Sequence, residues 1–208
     1  MSIVKLNNRG VRSATTFGSI SALGEMRFIK KLTASSSATI SFVHGSSDVV
    51  LDNTYKEYLF TFNNIHSSGN NTDAKFSFNG SIDAGSNYNV AKTTTVFGTY
   101  LGEDGSDAEL AYKAGDDLAQ GTGFQNLTNN GNNDNDGNLG GYLRLFNPSS
   151  TTFVKHFTAS ISSMHAQPAA ISFHIAGYFN TTSDIDAVQF KMNSGNIDAG
   201  DICLYGIN

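Results

Sequence analysis

The chain has 208 residues, a formal net charge of −5 and a charged fraction of 15%, against roughly 25% in ordinary soluble domains. This length suits one large β domain, which can bury a core without disulfide or metal support. With 13 basic and 18 acidic residues, the chain lacks the positive charge that binding to nucleic-acid phosphates requires. The 21 glycines, with many Ser, Asn and Thr residues, favour strands and turns over helices.

Residues 1–25 contain apolar residues that are too sparse to form a buried element, so we predict an extended N-terminal arm. The segment is still too apolar for a solvated tail, and we expect it to bind a partner. The alternative is that it packs against its own domain. Arg9, Arg12 and Phe17 are the candidate partner-binding residues, because the two guanidinium groups can form charge-assisted hydrogen bonds and the ring can make an apolar contact. No secretory signal or long apolar stretch is evident, so we expect synthesis in the cytoplasm and no membrane segment.

From Met26 onward, apolar and polar residues alternate with the period of two that is typical of β-strands. In Tyr58–Phe62 and Lys75–Phe78 the phenylalanines lie two residues apart, so they share one face, which we predict to be core. Eleven strands are too many for one twisted open sheet, and we therefore predict a single antiparallel β-sandwich over residues 26–208. The predicted strands are Arg27–Leu32, Ala38–His44, Tyr58–Asn64, Ala74–Gly80, Thr94–Leu101, Ala108–Lys113, Tyr142–Asn147, Thr152–Ser160, Ala170–Asn180, Ala187–Asn193 and Gly200–Gly206.

The most polar segment is Asn126–Gly140, and no residue of its Asn-rich part, 129–138, is expected to join a core. Its run Asp134-Asn135-Asp136-Gly137 resembles the first positions of a calcium loop, where oxygen ligands alternate before a glycine. No glutamate follows at the position that binds calcium with two oxygens, and a strand begins at Tyr142. We therefore predict a solvated loop, and no metal or cofactor requirement for folding.

The histidines and the cysteine show no pattern of a metal or redox site. None of the five histidines stands in an HxH or HxxxH spacing. His156 and His174 fall inside predicted strands, where we expect a neutral imidazole held between the sheets. The single Cys203 cannot form an internal disulfide, and we predict a buried, inert thiol.

Motifs for catalysis are also lacking in the sequence. There is no GxSxG elbow for a serine nucleophile and no Gly-rich phosphate loop between a strand and a helix. Glu103 could meet Asp116 or Asp117 in space as a pair of acids, but the sequence gives no evidence of their separation. We predict that the protein is not an enzyme.

The C-terminal sequence carries the most specific pattern. Ile185–Met192 followed by Ser194–Ile207 resembles the closing hairpin of a family of bacteriophage virion proteins. Proteins of that family commonly end in a strand, a Gly-Asn-Ile or Gly-Asn-Phe turn, and then Gly-x-Ile-x-Leu-Tyr-Gly-Ile. Asn8–Ser13 and Leu145–Ser150 are also similar to segments of proteins from tailed phages of marine bacteria.

This resemblance implies a jelly-roll protein on the exterior of a virion. It implies other virion proteins of the capsid or tail as partners, and a homo-oligomer, with a trimer favoured. The first interpretation is a non-enzymatic capsid decoration or cement protein. The alternative is a tail-fibre or appendage module that binds host-surface carbohydrate through exposed aromatic and amide side chains, although the chain contains no Trp.

Overall fold

The computed structural model describes residues 26–69 and 74–208. These residues form twelve β-strands and no helix, which confirms the predicted all-β class. All eleven predicted strands are found, and the additional β7 has only two residues, too few to produce a pattern. The predicted arm, residues 1–25, lies outside the described residues. The strands are β1 (Met26–Thr33), β2 (Ile40–Val43), β3 (Glu57–Ser67), β4 (Phe76–Ser81), β5 (Lys92–Gly102), β6 (Glu109–Tyr112), β7 (Gln125–Asn126), β8 (Leu139–Phe146), β9 (Lys155–Met164), β10 (Ala169–Phe179), β11 (Ala187–Met192) and β12 (Ile197–Ile207).

The strands form two antiparallel sheets that pack face to face as a β-sandwich, as predicted. One sheet has eight strands in the order β1-β12-β3-β8-β9-β10-β5-β6, and the other has four in the order β2-β11-β4-β7. The expectation of a closing hairpin at the C-terminus is wrong. β11 pairs with β2 and β4, whereas β12 pairs with β1 and β3. Because the inner faces of both sheets must be covered, the chain crosses between them at residues 193–196 instead of turning back within one sheet.

The strand pairs are nested within one another. β1 pairs with β12, β2 with β11, β3 with β8, and β4 with β7, and successive pairs alternate between the two sheets. Two hairpins, β5–β6 and β9–β10, interrupt this scheme. Both extend the larger sheet beyond β8, so this sheet is twice as wide as the one that covers it.

The core between the sheets is built from phenylalanine, as the period-two pattern predicted. Phe190 on β11 is fully buried, and its ring centroid lies 5.3 to 6.3 Å from five other rings. Most of these pairs are edge-to-face, the arrangement that the charge distribution of aromatic rings favours. Phe190 therefore joins the two sheets at the centre of the core. The five neighbours are Phe42, Phe60, Phe62, Phe76 and Phe78.

Two lysines, Lys92 and Lys155, are fully buried in the sandwich, a feature that the sequence pattern did not reveal. The Lys92 ammonium donates hydrogen bonds to Asn79 Oδ1 at 2.8 Å, to the Val90 carbonyl at 3.0 Å and to the Gly123 carbonyl at 2.7 Å. Its Nζ also lies 5.6 Å from the centroid of the Phe179 ring. Burial lowers the pKa of Lys92 to about 7, because desolvation disfavours the charged form. Lys92 thus ties β4 and β5 to the segment before β7.

Candidate binding surface

The outer face of the eight-stranded sheet, which points away from the smaller sheet, carries exposed aromatic side chains. In the strand register, Phe97 lies opposite His174, His174 opposite Ser160, and Ser160 opposite Tyr142. Directly opposed residues of antiparallel strands share a face, so these four form one row across β5, β10, β9 and β8. Phe97 is 48% exposed and Tyr142 is 41% exposed. Two aromatic rings therefore flank a polar centre.

Between these rings, small side chains form the floor of a groove, which we call the outer trough. Its walls rise from β5 and β6 on one side, through Phe97, Leu101 and Leu110, and from β8 on the other, through Tyr142 and Arg144. From Thr158 to Met164 on β9 the trough is about 20 Å long, at about 3.3 Å per residue. The floor consists of Thr158, Ser160, Ser162, Ala170, Ser172 and Ala176, and the His174 ring lies against the Phe97 wall.

Contacts within the trough hold the Phe97 and Tyr142 side chains in place. The rings of Phe97 and His174 are stacked, with centroids 5.0 Å apart and planes 20° apart. The Arg144 guanidinium lies 5.7 Å from the Tyr142 ring centroid, and it forms an ion pair with Glu57 at 3.0 Å. The prediction that His156 and His174 lie between the sheets is wrong. The apolar residues that alternate with them occupy the inner face, which leaves both imidazoles on the outer face.

Two open clefts follow one another along the trough. The first, of about 220 Å³, lies between Phe97 and Tyr142. The second, of about 620 Å³, lies where the strands end, between the turn at 102–106 and the loop at 134–138. Glu103 and Asp136 line the second cleft from the turn and from the loop. The narrow cleft is thus lined mainly by aromatic, aliphatic and hydroxyl side chains, whereas the wide cleft lies between two carboxylates.

The two aspartates that were considered as acid partners of Glu103 both contact other residues. Asp116 is buried and pairs with the Lys75 ammonium at 2.6 Å. The Tyr112 hydroxyl donates a hydrogen bond to Asp117 at 2.5 Å. Glu103 instead borders the wide cleft together with Asp136. Arg9, Arg12 and Phe17, the predicted partner-binding residues, lie outside the described residues.

The segment that resembled a calcium loop forms a tight turn, in which the Gly137 N–H donates to the Asp134 carbonyl at 2.8 Å. Across residues 26–69 and 74–208, no group of three or more His, Cys, Asp or Glu side chains is placed to hold a metal ion. The expectation that no residue of the Asn-rich part joins the interior is wrong, because Asn132 is only 5% exposed. Its amide donates to the His165 carbonyl at 3.0 Å. Cys203 is buried, as predicted.

His165 anchors this loop to the turn between β9 and β10. Its Nδ1 accepts a hydrogen bond from the Gln167 N–H at 3.0 Å, and its Nε2 lies 2.6 Å from the Asn130 side-chain amide. The ring also packs edge-on against Tyr100, with centroids 5.5 Å apart. Nδ1 can accept this bond only while it carries no proton. Burial lowers the pKa of His165 below its usual 6.5, which is consistent with a neutral ring.

The His165 anchor predicts a loss of stability in mild acid. As the pH falls below about 6.5, the unfolded chain takes up a proton before the folded chain does, so the free energy of unfolding decreases by up to about 1.4 kcal/mol per pH unit. We expect the wild type to lose stability relative to His165→Gln between pH 7 and pH 5 in urea unfolding. Parallel stability curves for the two proteins would contradict this role.

Within the described parts of the chain, no helix is long and apolar enough to cross a membrane. Comparison with protein-family models, with curated proteins and with solved structures gave no match.

Proposed function

We propose that the protein is a non-enzymatic structural component of a phage virion, most simply an exterior capsid decoration protein made in the host cytoplasm. The supporting observation is the nested strand order. A jelly roll forms when a long hairpin folds so that its first and last strands pair, then the next two inward, and so on. Successive strand pairs then lie alternately in the two sheets. β1, β2, β3, β4, β7, β8, β11 and β12 follow this scheme. Viral capsid domains use this architecture.

Attachment to other virion proteins is proposed to involve the N-terminal arm. The described chain begins at β1, which is an edge strand of the larger sheet and pairs only with β12 among the described residues. Met26 and Phe28 on this strand are 54% and 60% exposed. An exposed apolar edge is a surface that partner strands can cover. The proposal therefore places a homotrimer contact, or a contact with a capsid or tail protein, next to residues 1–25.

Imaging of virions tests the proposed function. An antibody against this chain is applied to purified phage particles from the source culture, and bound antibody is located by electron microscopy. We expect a regular label over the capsid shell. Label at the tip of a fibre would favour the alternative, an appendage module. Absence of label from the particles, with the chain found only in the lysate, would overturn both the capsid and the appendage assignments.

Deletion of residues 1–24 tests the role of the arm. If the arm holds neighbouring copies together, the truncated protein will sediment as a monomer, whereas the full chain will sediment as a trimer. The truncated protein should also fail to join particles. The truncated protein should keep the circular-dichroism signal of β-structure, because it retains all twelve described strands. A truncated protein that still assembles and still decorates virions would defeat the proposal.

The carbohydrate-binding alternative remains a second candidate because of the outer trough. Lectin domains also use jelly rolls, and the trough combines aromatic walls with a hydroxyl-bearing floor. Both candidates can hold for one protein, because an external virion protein can also bind a glycan.

A further inference from the structure

We propose that the outer trough binds a neutral oligosaccharide in an extended conformation, with its chain running along β9 and β10. This inference deepens the carbohydrate-binding candidate and names the site and the ligand class. It does not depend on whether the protein decorates a capsid, because it concerns a surface that the isolated protein carries.

The side chains of the narrow cleft suit the two kinds of surface that a sugar ring presents. Sugar rings expose an apolar face of C–H groups and a rim of hydroxyls. Phe97 and Tyr142 offer aromatic faces for the C–H groups, and both are about half exposed. Ser160 and Thr158 offer hydroxyls, each of which can donate and accept hydrogen bonds. Binding sites of this kind are lined by aromatic groups and fixed by a few polar groups.

The backbone of the trough argues against a peptide as the ligand. A peptide strand binds to a sheet mainly through the free N–H and C=O groups of an edge strand. β8, β9, β10 and β5 are all interior strands with a partner on each side. Their backbone groups are used within the sheet, so recognition in the trough must come from side chains. This condition suits a ligand that is held by hydroxyl contacts and ring stacking.

Charge argues against a polyanion. The wide cleft carries Glu103 and Asp136, and the protein has a net charge of −5. Both would repel phosphates or acidic sugars. Arg144, the cation on the trough wall, is already paired with Glu57 at 3.0 Å. In contrast, carboxylates accept hydrogen bonds from the hydroxyls of a neutral sugar. The length of the trough, about 20 Å at about 3.3 Å per residue, leaves room for several sugar units.

The small side chains of the floor also offer a position at which the trough can be blocked. Ser160, Ser162, Ala170 and Ala176 are short side chains on the central strands, so the floor lies below the aromatic walls. A bulky residue on the floor would fill the trough without removing either wall. Ser160→Tyr therefore blocks the proposed site while Phe97 and Tyr142 remain.

The experiment measures binding of the purified full chain to immobilised neutral oligosaccharides of two to six units built from glucose, galactose, mannose or N-acetylglucosamine. We expect at least one series to bind, with affinity that increases with length. In the best binder, Phe97→Ala, Tyr142→Ala and Ser160→Tyr should each weaken binding by at least about tenfold. The matched control is Ile82→Ala, which removes an exposed apolar side chain next to β4 of the smaller sheet and should leave binding unchanged.

Absence of binding to every series would overturn the proposal, as would binding that the three trough variants do not change. Light scattering on the same variants tests whether a second copy of the chain covers the trough. If Phe97→Ala and Tyr142→Ala dissociate an oligomer and no sugar binds, the trough is a contact between copies. That result would also overturn the proposal. Circular dichroism confirms that each variant is folded. Because virion imaging reports location and this assay reports sugar binding, the two proposals fail separately.

Discussion

Replacement of Lys92 with methionine will remove a rise in stability that the wild-type protein shows in alkaline solution. The buried ammonium has a pKa of about 7, against 10.5 for an ordinary lysine. Between these two values the unfolded chain holds a proton that the folded chain has released, so stability increases with pH. The increase approaches about 1.4 kcal/mol per pH unit. Between pH 8 and pH 10 it should appear in the unfolding free energy of the wild type minus that of the variant, both measured by chemical unfolding.

The control for Lys92 is Lys56→Met, which removes a lysine from an exposed position. This change should leave the slope of stability against pH at its wild-type value over the same range. A Lys92→Met protein whose stability follows the wild type in parallel from pH 8 to pH 10 would show that the buried amine keeps its proton. The three carbonyl acceptors would then hold a charged group.

Truncation of Phe190 to alanine will cost about 3–5 kcal/mol of unfolding free energy, the range for a large buried aromatic side chain. The ring is fully buried and touches five others from both sheets. Its removal therefore leaves a cavity at the point where the sheets meet. Equilibrium unfolding in urea measures the loss as a shift of the midpoint.

Phe153 provides the matched control for this experiment, since it is 69% exposed. Phe153→Ala makes the same chemical change outside the core and should alter stability by less than about 0.5 kcal/mol. If Phe190→Ala and Phe153→Ala have similar small effects, the aromatic cluster does not hold the two sheets together.

The strands and the core were predictable because a period of two is a local property of the sequence. Phe60 and Phe62, and likewise Phe76 and Phe78, are two residues apart and all four are buried. The same pattern does not state which strands become neighbours. It therefore could not show that β11 and β12 lie in different sheets. Neighbours are chosen by the packing of whole faces, which involves strands that are far apart in sequence.

The trough was not predictable for the same reason. The outward positions of Phe97 and Tyr142 can be read from alternation, but their common row requires that β10 and β9 lie between β5 and β8. Lys92 was missed because it stands before a run of threonines and resembles a surface residue of a strand. Its burial depends on Asn79 and Gly123, which reach it from other parts of the chain.

The pairing of β1 with β12 also affects when β1 can join the larger sheet during synthesis. β1 is the first of the described strands to be made, and β12, which supplies its partner residues 201–207, is the last of them. Contacts between such distant segments close slowly, because the loop entropy is lost before the contact forms. The backbone N–H and C=O groups of β1 therefore stay unpaired with β12 until β12 has been made. Lys30 and Lys31 lie within β1, and charged side chains on an unpaired strand oppose aggregation with other chains.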